Sequence, residues 1–165
     1  MRRLDTRMLM CVALAGCSGN SGGRQMAATV TETLVGEIQL TGSVPMVLVT
    51  LTTAQGRSVD LTGDLRSELR NLTGAEVAVR GRPASGRDFA VVSYEIRAIQ
   101  GERPLVGTVA YRGGEYWLEG DVEVRLVNAS EGLRAQIGAK VWILGREMED
   151  GVYPQTYGVI RGSRE

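Results

Sequence analysis

The sequence repeats itself, and that repeat restricts the fold more than any other feature. Leu34-Val35-Gly36 returns as Leu105-Val106-Gly107, and the pattern G-A-x-V-x-x-x-G-R runs from Gly74 to Arg82 and again from Gly138 to Arg146. Leu69-Arg70 and Leu133-Arg134 stand at the same 64-residue offset as that pattern, whereas the opening triplets are 71 apart. The second copy is therefore seven residues shorter, most simply in its first hairpin. Two copies of one motif point to two copies of one small fold. A unit of about 60 residues is marginal on burial alone, so the copies are expected to pack together across the short linker 100–104.

Each copy reads mainly as strands. Val47, Val49 and Leu51 alternate with smaller or polar residues, and Val59 and Leu61 make a second short run. Residues 65–72 (LRSELRNL) place leucines at 65, 69 and 72, which is helical spacing. Asp64 stands ready as an N-cap and Gly74 as a stop. Val77 and Val79 follow in alternation, then Ser85-Gly86-Arg87-Asp88 turns the chain into a strand from Phe89 to Ile99. The second copy keeps this order, with strands at 106–111, 116–119, 122–127, 141–146 and 152–160 and a helical piece at 130–137. Its turns fall at Arg112-Gly113-Gly114-Glu115 and at residues 147–151. Gly36, Gly63 and Gly81 are isolated and read as turns or bulges.

Three strands, a short helix and two strands is the order of an OB-fold barrel. The opening V-G-x-V/I, the helix ending in Gly-Ala and the alternating strand closing in Gly-Arg resemble the small OB-type domains of exported bacterial proteins. The fold class expected is all-β, with one short helix per repeat, as two small tandem OB-like barrels: residues 34–99 and 105–165, joined by the linker 100–104. A single barrel or sandwich of eight to ten strands, pooled from both halves, is the rival arrangement.

The start of the chain reads as an address. Arg2, Arg3 and Arg7 precede an apolar run of nine residues, 8–16 (MLMCVALAG), far short of the roughly 20 needed to cross a bilayer. A basic start, a short apolar stretch and small residues before a cut describe a secretory signal peptide. The stretch ends Leu14-Ala15-Gly16-Cys17, which resembles the bacterial lipobox at all four positions. That resemblance implies a signal peptide over 1–16, a diacylated and N-acylated Cys17, and a lipid-anchored protein of the cell envelope. Two or three acyl chains anchor stably where one does not. Ser18 after the cysteine favours the outer membrane under enteric-type sorting. Residues 17–33, beginning Ser-Gly-Asn-Ser-Gly-Gly after the cysteine, are expected to be a flexible tether.

Composition narrows the function classes. With 43% hydrophobic and 23% charged residues the chain is globular, and 22 glycines against 4 prolines fit frequent tight turns. Without the first 16 residues, which hold Arg2, Arg3, Arg7 and Asp5, the net charge is −2. That is not the footprint of a nucleic-acid binder. There is no histidine, which removes the commonest general base and neutral metal ligand. Past the leader, Cys17 is the only cysteine, so neither an internal disulfide nor a cysteine metal site is open to that part of the chain.

The remaining chemistry is sparse. Glu147, Glu149 and Asp150 beside Gly151 offer carboxylates to calcium, but without interleaved neutral donors they read better as a solvated turn. Asp60 and Asp64 are an acid–base pair only on paper, Asp64 being better used as a cap. No G-x-S-x-G elbow, S-x-x-K or glycine-rich phosphate loop is present. Six of the eight aromatic residues fall in the second copy. There, alternation along the strand puts one of Tyr116 and Trp117 inside and one outside, with Arg125 on the next strand. OB barrels bind oligonucleotides or oligosaccharides on this face by stacking, so Tyr116, Trp117 and Arg125 are the candidate ligand-binding residues. Filling a small core is the plainer use of such rings. The expectation is a non-catalytic envelope module, with no cofactor and no metal, anchored at Cys17 and binding a protein or glycan. An oligonucleotide-binding protein and a carboxylate-based hydrolase are the alternatives.

Overall fold

The structure is a computed structural model and describes residues 31–163. The leader and Cys17 lie outside the described residues. The elements run β1 (Glu32–Ser43), β2 (Met46–Thr53), β3 (Ser58–Thr62), α1 (Arg66–Arg70), β4 (Ala75–Pro83), β5 (Asp88–Ile99), β6 (Leu105–Arg112), β7 (Glu115–Gly120), β8 (Val124–Arg125), α2 (Glu131–Arg134), β9 (Lys140–Met148) and β10 (Gly151–Arg161). The chain is mostly β, and the ten strands form two five-stranded sheets rather than one pooled sheet. β1 already pairs with β4 at Glu32↔Gly81, so Glu32 and Thr33 belong to the first sheet and not to the tether.

The first sheet closes on itself in the order β1-β2-β3-β5-β4. Antiparallel pairing of β1 with β4 (Glu32↔Gly81 to Glu37↔Glu76) and parallel pairing of β3 with β5 (Asp60↔Asp88 to Thr62↔Ala90) complete the ring. Register shifts in the β4–β5 ladder at Glu76/Val77 and Arg80/Gly81 supply the bending that closure demands. Alternation fills the interior with Ile38, Leu51, Leu61, Val77, Val79 and Phe89, and α1 adds Leu69, all essentially inaccessible to solvent.

The second sheet has the order β10-β9-β6-β7-β8. β8 is only two residues long, where sequence alternation predicts a strand over 122–127. The chain nonetheless crosses from there to β10 through the parallel bridge Leu126↔Val152, with Val127 N–H donating to Val152 O at 2.8 Å.

Glycines at matching positions of the sequence motif meet similar surroundings in the two halves. A Cβ on Gly36 would strike the Thr52 carbonyl, and one on Gly107 the Glu119 carbonyl. These two sit at close backbone approaches within strands, not in turns. Gly74 and Gly138, after the helices, have φ of +81° and +80°, a region that only glycine enters without cost. Each then donates its N–H at 2.8 Å to a carbonyl two residues past the opening glycine, Gly74 to Ile38 and Gly138 to Val109. The seven-residue difference divides. β1–β2 pairing spans Gly36 to Thr53 and β6–β7 spans Gly107 to Gly120, so four residues come from the first hairpin and three from the segment between hairpin and helix.

The helices differ in their caps. Asp64 does not cap α1. The N-cap position is Leu65, in helical backbone and without a side-chain cap bond. Gly63, at φ +100°, turns the chain so that its own carbonyl accepts the Arg66 N–H at 3.1 Å. α2 is capped by Ser130, whose Oγ accepts from Leu133 N–H at 3.3 Å.

The halves share a packed seam. Leu144 and Ile160 of the second half are buried in the core of the first, with Val106 and Trp142 packed against it. Asn71 Nδ2, just after α1, donates to Ile160 O at 3.0 Å. The linker opens as a tight turn. Gln100 and Gly101 have φ of +54° and +82°, and Ile99 and Glu102 exchange backbone hydrogen bonds at 2.9 and 3.0 Å, the geometry of a two-residue hairpin turn.

Candidate functional site

The seam holds the one deeply buried charged side chain among the described residues. Leu65, Leu69 and Leu72 fix which face of α1 turns inward, and Glu68 lies on that face with only 5% of its surface exposed. A buried carboxylate is costly unless it is paired and hydrogen-bonded. Glu68 is met by three donors: Tyr94 Oη at 2.5 Å, Lys140 Nζ at 2.9 Å and an Arg161 guanidinium nitrogen at 2.9 Å. Lys140, the single lysine of the chain, also donates to Tyr94 Oη at 3.0 Å and stands 4.8 Å from the centre of the Tyr94 ring.

The electrostatics follow from this geometry. Burial alone would raise the Glu68 pKa. The hydrogen bonds from Tyr94 and Lys140, with the charges of Lys140 and Arg161, outweigh it and hold the carboxyl below its ordinary value. Tyr94 is driven the other way, chiefly by burial and then by its bond to the Glu68 anion, far above a normal phenol. Near neutrality the carboxylate is ionised and its neighbour remains a protonated donor. Two residues of the first half and two of the second thus form an ionic clamp across the seam.

Beside this clamp the two halves leave an open cleft of about 790 Å³. Tyr94, Lys140 and Arg161 line it, linking it directly to the clamp, and Leu105, Val106 and Val122 give it apolar surface. Its charged lining is mixed: Arg103 with Glu95, Glu119 and Asp121. Such a surface, apolar with a few convergent polar groups at a junction of two units, has the character of a binding site.

The residues expected to bind ligand are only partly brought together. Tyr116 packs against the second core, its ring centre 4.7 Å from that of Tyr111. Trp117 takes the opposite face, directly across from Arg125 in the β7–β8 register. The Arg112 guanidinium stands 4.7 Å over the Trp117 ring, and Arg112 is itself paired with Glu119 at 3.5 Å and with Glu123. Arg125 is held by Glu115 at 2.5 Å, by the Asp150 carbonyl at 2.9 Å and by the Asp150 carboxylate. The Glu115 bond raises its pKa most, burial opposes it, and the charges of Asp150 and Glu115 leave the balance upward. The outward face of β7 and β8 is therefore one indole beneath a lattice of ion pairs.

Asp150 is thus committed to Arg125, while Asp60 pairs with Arg87 at 3.4 Å and accepts from Thr50 Oγ1 at 3.2 Å. Among the described residues no group of three or more His, Cys, Asp or Glu is placed to hold a metal ion. Sequence reasoning passed over Glu68, although a glutamate inside the leucine face of residues 65–72, in a chain with a single lysine, was a usable signal. No family model, curated protein or solved structure matches this chain.

Proposed function

We propose that the chain is a non-catalytic lipoprotein of the cell envelope, held to a membrane by a lipid on Cys17. Its two halves, each an OB-type barrel descended from one duplicated unit, act together as a binding module for an envelope protein or glycan. The barrel reading is supported in the first half by the closed strand order β1-β2-β3-β5-β4 with α1 between the third and fourth strands, the order of an OB barrel, and in the second by the same cyclic order in a sheet whose ends meet only at the Leu126↔Val152 bridge. The duplication is supported by the matched glycines and by the shared bond from the post-helix glycine. The anchor is supported by the sequence Leu14-Ala15-Gly16-Cys17 after a basic, apolar leader.

The observation that carries the binding role is the cleft at the seam, to which both halves contribute and whose polar groups are fixed by the Glu68 clamp. Val122, 67% exposed and part of the cleft lining, tests it without touching the core. A pull-down from detergent-solubilised envelope should recover a protein or glycan with the parent chain and lose it with Val122→Arg. Loss with Trp117→Ala instead would move the site to the outward face of β7. Recovery of nothing by the parent counts against a binding module. The anchor is tested separately by labelled palmitate, which the parent should take up and Cys17→Ala should not.

An oligonucleotide is the second reading, favoured by one observation: Trp117 and Arg125 lie on the second and third strands of their half, the strands with which OB barrels bind bases, and Arg112 at the end of β6 stands over the indole. Each of those arginines is already matched by carboxylates, which weakens the attraction for phosphate. Salt-sensitive gel shift of single-stranded DNA would favour this reading over the first.

A further inference from the structure

The first hairpin outruns its barrel. β1 pairs with β4 only as far as Glu37, and β2 pairs with β3 only from Thr50. Between them β1 and β2 pair solely with each other, out to Ser43↔Met46, so the end of the hairpin projects as a two-stranded ribbon. That ribbon is apolar. Val44 is 87% exposed and Met46 74%, and Leu40 and Leu48 are exposed on its strands. From Ile38 to Gly56 the sequence has no Asp, Glu, Lys or Arg. Natural proteins guard free strand edges with charge, and this one does not. The matching hairpin of the second half is four residues shorter and ends in Arg112-Gly113-Gly114-Glu115. The greasy tip therefore belongs to the extension of the first hairpin. One residue pair behind the tip, the Arg66 guanidinium donates to Val47 O at 2.7 Å.

We infer that the β1–β2 hairpin is a membrane-contacting tongue, with Val44, Pro45 and Met46 entering the interfacial layer of a lipid surface and Arg66 facing the headgroups. The inference rests on the proposed anchor at Cys17, and chain length makes the two compatible. Fifteen residue steps separate Cys17 from Glu32, a reach of about 50 Å when extended, at about 3.3–3.6 Å per residue. The strand from Glu32 to Ser43 covers roughly 36 Å at about 3.3 Å per residue. The lipid and the hairpin tip can thus lie in one plane with β1 standing along the membrane normal. The tip is convex, small and uncharged, a shape that suits a fluid surface better than a protein interface, which needs on the order of 1,000 Å² of matched area. Its unpaired backbone edges limit the depth, since such groups are not tolerated in hydrocarbon. Contact stops at the tip, with the cationic Arg66 suited to the headgroup level.

The test uses the full lipidated chain carrying Met46→Trp, reconstituted in vesicles of phosphatidylethanolamine and phosphatidylglycerol with brominated acyl chains. The introduced tryptophan should be quenched at least about twofold more than the native Trp117 and Trp142 of the parent. Adding Val44→Glu, which changes only an exposed side chain, should abolish the difference while circular dichroism stays unchanged. Palmitate labelling with no extra quenching would overturn the tongue and leave the anchor standing. Quenching of a chain that takes up no label would keep the tongue and remove the anchor. Crosslinking between the hairpins of two copies, without quenching, would replace the lipid surface by a second copy of this chain.

Discussion

Asp60 on β3 and Arg125 on β8 occupy the same place in their respective sheets and carry opposite charge. Asp60 stands across from Thr50 on β2, and Arg125 across from Trp117 on β7. Each reaches the turn that precedes the last strand of its half, Asp60 to Arg87 and Arg125 to Asp150. A backbone carbonyl in that turn is engaged each time, the Arg87 oxygen by Asp60 N–H at 2.9 Å and the Asp150 oxygen by Arg125 Nε at 2.9 Å. The position asks for a bond between third and fifth strands and is indifferent to which partner is the anion.

The first prediction follows from that indifference. Arg125→Asp should lower Tm, because it sets a carboxylate against Glu115 and Asp150. Adding Asp150→Arg should recover most of the loss, as measured by scanning calorimetry of both variants and the parent. Arg87→Ala, which removes an exposed pair, should cost no more than about 1 kcal/mol.

The clamp at the seam should be worth more. Glu68→Ala removes the acceptor for three donors and leaves two cations without their counter-charge, at a cost of about 2–4 kcal/mol at neutral pH by denaturant titration. Lys140 and Arg161 remain partly exposed and can turn to water, which keeps the figure toward the lower end.

The same carboxylate fixes a pH dependence. Its pKa is lower in the folded chain than the ordinary value of 4.5, so the folded state binds the proton more weakly than the unfolded state. The stabilisation is complete above the unfolded value and is lost as pH falls through the folded one. Thermal melts at about pH 7, 5 and 3 should show the parent losing more stability across the acid interval than Glu68→Gln. Equal losses would mean that the carboxylate is not held ionised.

Leu69 and Leu133 are each 0% exposed at matching places in α1 and α2. Truncating either to alanine should cost about 2–5 kcal/mol through lost burial and the cavity left behind. Because the seam joins the halves, either change should lower a single unfolding transition. Two separated transitions in the Leu133→Ala variant would contradict the shared core.

The matched glycines predict two grades of damage. Gly36→Ala and Gly107→Ala push a methyl into a strand carbonyl, and each should cost about 1–3 kcal/mol, as overpacking does. Gly74→Ala meets nothing within 4 Å and suffers only its left-handed backbone, about 1–2 kcal/mol. Chemical denaturation of the three variants ranks them.

What was legible in the sequence was what local chemistry enforces. The strand and turn order could be read because glycines such as Gly74 and Gly138 are obligatory where the backbone is left-handed, and because Val77 and Val79 alternate with their neighbours. The Asp64 cap failed for a local reason that one letter hides: Gly63 bends the backbone so that its own carbonyl takes the first free N–H. β8 came out shorter than its valines implied, because pairing with β7 extends only from Leu118↔Val124 to Trp117↔Arg125. Glu68 could be suspected from the leucine face around it, but its partners could not, since Lys140 and Arg161 reach Glu68 and Tyr94 only through the docking of the two halves. Alternation correctly put Tyr116 and Trp117 on opposite faces, but it carried no sign that Arg112 would cover the indole.

The reciprocal bonds between Ile99 and Glu102 leave the joint between the halves without slack. The same seam is tied on its other side by Asn71 to Ile160 and by the Glu68 clamp. The spacing of the cleft walls beside Lys140 and Arg161 is thus written into backbone and side-chain bonds at both ends of the junction.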